Sequence, residues 1–210
     1  MLSGTGFSSG ALVTLSSGYE FVMTSDVAVT STGASGRVAM TAVNDIDLSV
    51  ITAGVRVDVT STAGAINDNL TGNGLNINAA NADGLLSAVK GVGTAGDAIQ
   101  TELKTLVGTN TRNGGLYVIE ATDLTIAATL PPPESPMGVD LRGVGNGGEG
   151  ALSLIVKTGN LKVEGAVRST ATGIDSGNLL LQTLAGNIDI EADITSDVGS
   201  ISVLSSGDVR

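Results

Sequence analysis

The stretch 150–210 can be written as three lines that match one another. The first line runs from Gly150 to Ser176, the second from Gly177 to Val198, and the third starts at Gly199. Each complete line holds two Gly-led segments in which apolar residues alternate with other residues, followed by a shorter apolar segment. The lines begin 27 and 22 residues apart. A repeat of this length is typical of a solenoid, in which each repeat forms one coil.

Alignment of the three lines places apolar residues of one parity in columns. Residues of one parity share one face of a β-strand, so each column predicts an inward-facing row. Lys162, Glu164, Asp189 and Glu191 take the opposite parity and are predicted to face the solvent. The predicted structural core consists of Leu152, Leu154, Leu179, Leu181, Ile201, Val203, Leu161, Val163, Ile188, Ile190, Val167 and Ile194.

No segment is long enough to bury its own apolar row, and the rows are buried only when one coil stacks on the next. We therefore predict an all-β fold, a three-sided parallel β-solenoid with coils of about 18–27 residues. Earlier segments between residues 36 and 80 follow the same alternation, with Arg56 and Asp58 at outward positions. Strict alternation of this kind predicts strands rather than helices.

The composition limits the possible classes of function. The chain of 210 residues has 30 glycines, 2% aromatic residues, and no His, Cys or Trp. Its net charge of −11 argues against nucleic acid or an anionic membrane surface as a partner, since both require clustered Lys and Arg. The first residues lack the features of a signal peptide, and no apolar run is long enough for membrane insertion.

The chain is predicted to be one solenoid segment with an interruption. Residues 1–128 form a first block of coils, residues 129–149 a Pro/Gly-rich loop or junction, and residues 150–210 a second block. Proline cannot donate a hydrogen bond to a strand ladder, so the interruption should leave the solenoid as a loop, a common place for binding sites. The loop residues considered for binding are Pro131, Pro132, Pro133 and Pro136.

The stretch Leu85–Val107 departs from strict alternation. Ile99, Leu103 and Leu106 fall at helical spacing, and Asp97 is a suitable helix N-cap. One short helix decorating the solenoid and one more irregular coil are both compatible with this pattern.

Two segments, GDAIQTELKTLVGTNTRNGGLYVIEATDLTIA and GNLLLQTLAGNIDIEADI, resemble the repeat regions of giant filamentous-haemagglutinin-like bacterial surface proteins. The shared phrases are Gly-Asn-[Ile/Leu]-x-[Ile/Leu] and Gly-x-Ala-Gly-[Asp/Asn]-x-[Ile/Leu]. The resemblance implies a right-handed parallel β-helix, secretion to the bacterial cell surface, and a rod that serves adhesion. The Asn-Pro-Asn motifs of that family's secretion domain are missing, so the resemblance covers the shaft alone.

Catalytic and metal sites are only weakly indicated. Polysaccharide-acting β-helix enzymes need convergent carboxylates, and Asp189, Glu191 and Asp193 share an outward face with Glu164 nearby. A solvated acidic stripe is the favoured interpretation of them, since few aromatic residues are present to stack on sugar rings. We therefore predict no catalytic residues and no cofactor. The weak calcium candidates are Asp189, Glu191, Asp45 and Asp47.

Gly-Asn and Gly-Asp pairs mark a corner of the solenoid. Asn160, Asn187 and Asp208 align in one column, where polar side chains can form hydrogen bonds along the axis. We predict that this corner ladder is structural.

The favoured interpretation is a non-enzymatic stalk segment of a large secreted surface adhesin. The alternatives are a self-assembling extracellular fibre or matrix protein and, less favoured, a polysaccharide-acting enzyme. The expected partners are neighbouring coils of the same polypeptide or end-to-end copies, and host-cell or matrix glycans or proteins. The third line breaks off at Arg210, which predicts a fragment of a larger repeat protein with open coils at both ends.

Overall fold

The computed structural model describes residues 7–9, 12–25, 27–130, 144–170 and 177–210. These residues form 21 β-strands and no helix. The strands are β1 (Phe7–Ser9), β2 (Leu12–Ser17), β3 (Phe21–Val22), β4 (Ala28–Ser31), β5 (Arg37–Ala42), β6 (Ile46–Leu48), β7 (Val50–Ala53), β8 (Arg56–Ser61), β9 (Ile66–Asp68), β10 (Ile77–Ala88), β11 (Ile99–Asn110), β12 (Leu116–Glu120), β13 (Leu124–Ile126), β14 (Val144–Asn146), β15 (Leu152–Val156), β16 (Leu161–Val163), β17 (Val167–Ser169), β18 (Leu179–Thr183), β19 (Ile188–Ile190), β20 (Ile194–Ser196) and β21 (Ile201–Ser205).

Every pairing between these strands is parallel and joins one coil to the next. In the second half of the chain each coil has one five-residue strand followed by two three-residue strands, as in β15, β16 and β17. The registers pair Leu152 with Leu179 and Leu179 with Ile201, and they pair Val167 with Ile194. The structure therefore confirms the all-β parallel solenoid and the alignment of the three lines.

Coil length stays within a narrow range except at one position. Register partners are 19 residues apart from Arg37 to Arg56 and 27 apart from Lys162 to Asp189. Thr125 and Lys162 are 37 apart, and this longer coil contains residues 131–143. The four prolines of the predicted binding loop fall in that interval, outside the described residues. Strand β14 lies within the segment predicted as a junction, and it pairs with β11 and β17.

The tube changes its cross-section in the middle of the chain. In the first half, each coil has a long six-residue side (β2, β5, β8) and two short sides. Strand β11 then pairs with three strands of the next coil, β12, β13 and β14. The long-side column of the first half therefore continues into two short strands, β13 and β14. The two short-side columns meet in β12, where Leu116 continues from Val92 and Val118 continues from Ile99.

This exchange reverses the positions of the long side and the pair of short sides around the tube. The long side lies above the place where two short sides meet, and the chain order of long, short and short sides is the same in both halves. Strands β10 and β11, with 12 residues each, connect the two arrangements because each runs along two sides without a break.

The merging of two sides into β12 depends on a close backbone approach at Gly93. This residue has a φ of +59°, and a Cβ added to it would lie 2.8 Å from the carbonyl oxygen of Tyr117 and 2.8 Å from the nitrogen of Ile99. Residues Thr94 and Asp97 form a tight antiparallel bridge directly after it. The turn therefore leaves the wall of the tube and returns, and β12 passes across its base.

Gly93→Ala is expected to lower the free energy of unfolding by about 2 kcal/mol or more, from left-handed backbone strain and the clash with β12. Gly96→Ala in the same turn is the matched control, because a Cβ there meets nothing within 4 Å. Urea denaturation followed by circular dichroism measures both variants. Equal stability of the two variants would contradict the close approach of β12.

One continuous apolar core runs through the tube from Phe21 to Ile188. Eight of the twelve predicted core residues are buried in it, namely Leu152, Leu154, Leu179, Leu181, Leu161, Val163, Ile188 and Val167. Ile190, Ile194 and Val203 are only partly buried. The prediction of a buried position is wrong for Ile201, which is 46% exposed because no described coil covers β21.

The helix considered for Leu85–Val107 is also wrong, since this stretch contains parts of β10 and β11. Among the buried residues of β11, Ile99, Leu103 and Leu106 belong to the apolar core of the tube. The side chains that point into the core thus shift from odd-numbered to even-numbered residues where the strand crosses a corner of the tube, beside exposed Lys104. The change produces a spacing of four and then three residues, which imitates an amphipathic helix.

The outward face is not polar everywhere. Leu85 and Val107 are each 1% exposed and form a second apolar cluster with Ala127, and Leu130 packs against it. Arg56, predicted to face the solvent, is 2% exposed, and its Nε donates to Asp58 at 2.8 Å. Burial raises the pKa of the Asp58 carboxyl, and the Arg56 guanidinium opposes this rise.

Candidate functional site

The corner ladder is a chain of side-chain to backbone hydrogen bonds along the tube axis. The Oδ1 atom of Asn160 accepts the backbone N–H of Asn187 at 2.9 Å, and Oδ1 of Asn187 accepts that of Asp208 at 2.7 Å. Asp123, which the sequence did not indicate, precedes them and accepts the N–H of Asn160 at 2.6 Å. Each side chain therefore binds the backbone of the following coil, and Oδ1 of Asp123 also accepts the side-chain amide of Asn160 at 3.3 Å.

The same side-chain to backbone hydrogen bond occurs at other corners of the tube. Asn76 accepts the N–H of Gln100 at 2.8 Å, and Asn178 accepts the N–H of Ser200 at 3.0 Å. Asp45, one of the weak calcium candidates, accepts the N–H of Ala65 at 2.8 Å. Corner Asn and Asp side chains thus supply acceptors for backbone N–H groups where the chain turns away from the strand ladder.

Asn187→Ala is expected to lower the free energy of unfolding by about 1 kcal/mol, since the N–H of Asp208 loses its acceptor. Asn73→Ala removes the same side chain from an exposed turn between β9 and β10 and serves as the control. Thermal denaturation of the two variants in parallel checks the difference. An Asn187→Ala protein as stable as the control would show that the ladder contributes nothing to stability.

A polar groove of about 620 Å³ runs beside the ladder, and Lys104, Lys162, Asp189 and Arg210 are among its lining residues. The Lys162 ammonium contacts Glu164 at 2.6 Å and Glu191 at 3.3 Å. The hydrogen bonds to Glu164 and then to Glu191 raise the pKa of Lys162. The two glutamates considered for acid–base chemistry thus share one ammonium as a surface ion-pair network.

The other weak calcium candidates occupy separate places. The Oδ1 atom of Asp47 accepts the side-chain amide of Asn67 at 2.8 Å, while Asp189 lines the groove on the opposite half of the chain. Within the described ranges, no group of three or more His, Cys, Asp or Glu side chains is arranged to hold a metal ion.

Glu120 is a buried acid that the sequence pattern did not single out. Its carboxylate accepts the hydroxyl of Thr101 at 2.8 Å and the backbone N–H of Leu103 at 3.1 Å. The N–H groups of Ala121 and Thr122 donate to it at 3.0 and 3.3 Å. Burial raises the pKa of Glu120 to about 7, against the opposing effect of these hydrogen bonds.

The position of Glu120 explains this arrangement. The pairing of β11 with the next coil passes directly from Thr101–Glu120 to Thr105–Thr125, because β12 ends and the chain turns before β13. Residues 102–104 therefore face a turn instead of a strand. The Glu120 carboxylate supplies the acceptor that the N–H of Leu103 needs at this level of the tube.

The long side of the second half presents a neutral and largely apolar outer face. The outward positions of β12, β15, β18 and β21 carry no charged residue. Leu204 is 50% exposed there, and a groove of about 540 Å³ is lined in part by Tyr117, Leu180 and Ser202. This face is suited to contacts with another apolar surface rather than to acid–base chemistry.

Comparison with protein-family models, with curated proteins and with solved structures finds no match to this chain. Among the strands and turns that the structure describes, there is no helix long and apolar enough to cross a membrane.

Proposed function

We propose that this chain is a non-enzymatic shaft segment of a large secreted bacterial surface protein, in which it holds a binding region away from the cell. The proposal depends on the observation that polar side chains along the tube bind neighbouring coils or one another. Corner Asn and Asp residues bind the next coil, Lys162 joins Glu164 and Glu191, and Glu120 completes a strand ladder. These groups hold coils together instead of converging on a substrate.

The geometry of the tube suits this role. The column from Leu12 through Arg37 to Asp189 passes through eight coil levels, which span roughly 34 Å at an interstrand spacing of about 4.8 Å. Each added coil extends the tube by the same step, so the length grows in proportion to the number of repeats. The net charge of −11 keeps a long β surface soluble.

Immunogold labelling of the producing cells with an antibody against this chain tests the proposal. Label outside the envelope of intact cells, removable by added protease, is the expected result, with an antibody against a cytosolic protein as the control. Label confined to the cytoplasm would contradict the proposal. So would turnover of a polysaccharide by the purified chain.

A further inference from the structure

Three turns of successive coils stack at one corner of the tube. The turn after β8 contains Thr62, the turn after β10 contains Lys90, and the turn after β11 contains Arg112. Backbone hydrogen bonds fix this stack. The N–H of Lys90 donates to the carbonyl of Gly64 at 2.8 Å, and the N–H of Arg112 donates to the carbonyl of Val89 at 3.0 Å. Lys90 and Arg112 therefore belong to consecutive coils, about 4.8 Å apart along the axis.

The stacked turns line a groove of about 390 Å³, and its described lining residues carry positive charge and no carboxylate. Lys90 and Arg112 supply the two charges, and both residues are exposed. Thr111 and Asn113, which are also exposed, add a hydroxyl and a side-chain amide to the lining. All four side chains can donate hydrogen bonds, so the groove is suited to a negatively charged group.

The two charges of this groove have no partner of opposite charge in the described ranges, where no carboxylate lies within ion-pair distance of Lys90 or Arg112. Asp45 and Glu149, the acids in the turns of the adjoining coils, do not line the groove. The Asp45 carboxylate already accepts the backbone N–H of Ala65 at 2.8 Å. On a chain with 21 acidic against 10 basic residues, two neighbouring cations of this kind form a local positive site.

The charge of the groove favours a ligand group with two negative charges. A carboxylate or a sulfate ester carries one, whereas a phosphomonoester carries close to two above its second pKa of about 6. One such phosphate neutralises both cations. Its three terminal oxygens suit donors that approach from two coils, with the Arg112 guanidinium as a fork and the Lys90 ammonium as a point charge.

A second groove continues from the first and gives room for more than a phosphate group. Thr111 lines both grooves, and the second, of about 300 Å³, is also lined by Thr109, Gly145 and Thr170. Gly145 has no side chain, and it lies between its register partners Thr109 and Arg168, which leaves a recess in the outer face of the sheet. The threonine hydroxyls of this recess are suited to the hydroxyls of a sugar.

We propose that this corner of the tube binds the phosphomonoester group of a phosphorylated sugar. Lys90 and Arg112 hold the phosphate from consecutive coils, and Thr111 and Asn113 donate to its oxygens. The sugar extends from Thr111 toward Thr109. The site gives the wall of the tube a ligand of its own, which goes beyond the role of a shaft.

NMR titration of the ¹⁵N-labelled chain at about 0.01 M ionic strength, where charges are weakly screened, tests the proposal. The probes are glucose 6-phosphate, inorganic phosphate, glucose 6-sulfate and glucose. Glucose 6-phosphate should shift the backbone amide signals of Lys90, Thr111, Arg112 and Asn113, and it should bind more tightly than the other three probes. Absent shifts, shifts located elsewhere, or equal affinity for any of the other probes would overturn the proposal and leave the shaft proposal unaffected.

The pH dependence of binding reports the charge of the bound group. Affinity for glucose 6-phosphate should rise by up to about tenfold from about pH 5 to about pH 7.5, as the phosphate loses its second proton. The chain has no histidine, and lysine and arginine keep their charge over this range. Glu120, whose pKa burial raises to about 7, does not line the groove, and glucose 6-sulfate controls for its titration. An equal rise for both esters, or none for glucose 6-phosphate, would contradict binding of the dianion.

Lys90→Gln and Arg112→Gln should each weaken the binding of glucose 6-phosphate by about tenfold or more, as expected when a hydrogen bond to a charged group is lost. Lys104→Gln is the matched control, because it removes one charge from an exposed lysine that lines the groove beside the corner ladder. Its affinity should stay close to that of wild type. Circular dichroism verifies folding of all three variants. An equal loss in all three, or wild-type affinity in Lys90→Gln and Arg112→Gln, would overturn the inference.

Discussion

Leu154→Ala is expected to lower the free energy of unfolding by about 2–5 kcal/mol, the range for a leucine removed from a well-packed core. Leu154 is 0% exposed and lies in a column between Val118 and Leu181. Neighbouring coils are each fixed by a strand ladder, so they have little freedom to collapse into the cavity. The variant should therefore fall near the upper end of this range.

Ser153→Ala is the matched control for this prediction. Ser153 is the adjacent residue in β15 and takes the outward parity, where it is half-buried. We expect a change of less than about 0.5 kcal/mol, as for most substitutions outside the core. Urea denaturation of both variants gives the comparison. If both substitutions had equal effects, the assignment of inward and outward faces would be incorrect.

Glu120→Gln is expected to change the pH dependence of stability. The pKa of Glu120 is raised from 4.5 to about 7 in the folded protein, so its contribution to stability is fully present below pH 4.5 and is lost as the pH rises toward 7. Glutamine does not titrate. Between pH 4 and pH 8 the stability of Glu120→Gln relative to wild type should therefore rise by about 3 kcal/mol.

The geometry suggests that glutamine can replace Glu120 without disrupting the fold. Its oxygen can accept the N–H groups of Leu103, Ala121 and Thr122, and its amide can donate to the hydroxyl of Thr101. Denaturation curves for both proteins across this pH range make the measurement, and Glu102→Gln controls for the loss of one charge on the same sheet. If the difference in the free energy of unfolding between Glu120→Gln and wild type did not change with pH, burial would not raise the pKa of the Glu120 carboxyl.

The repeat at 150–210 made the second half of the tube predictable. Its Gly-led lines keep the same order of segments although they begin 27 and 22 residues apart, so the alignment of Leu152 with Leu179 and of Val167 with Ile194 is also the register of the strands. The exchange of sides was not predictable, because it occurs where β10 and β11 continue across corners without a turn. Sequence periodicity reports which residues point inward, and it does not report where a flat side ends.

The polar contacts were predictable only where they repeat. Asn160 and Asn187 recur at one position of successive lines, and this recurrence indicated the corner ladder. Glu120 has no such counterpart, since its register partners in the following coils are Val156 and then Thr183. The burial of Leu85 on the outward face likewise depends on its cluster with Val107 and Ala127, against which Leu130 packs outside the repeat pattern.

In the exchange of sides, the C-terminal part of β11, from Thr105 to Asn110, lies beneath two strands of the next coil, β13 and β14, and disulfide cross-linking tests this placement directly. The chain has no cysteine, so introduced pairs report without interference. Thr105 and Thr125 are register partners between β11 and β13, and Thr109 and Gly145 are register partners between β11 and β14. Such neighbours in parallel strands are close enough to form a disulfide.

Each of these pairs, replaced by cysteine in its own variant, should therefore oxidise to an intramolecular disulfide in the folded protein. A mismatched pair, Thr105→Cys with Gly145→Cys, should remain reduced. Non-reducing gel electrophoresis after mild oxidation, with mass spectrometry of the cross-linked peptides, is the decisive measurement. Bond formation in both matched pairs is the predicted result. Failure of either matched pair, or equal oxidation of the mismatched pair, would contradict the exchange of sides.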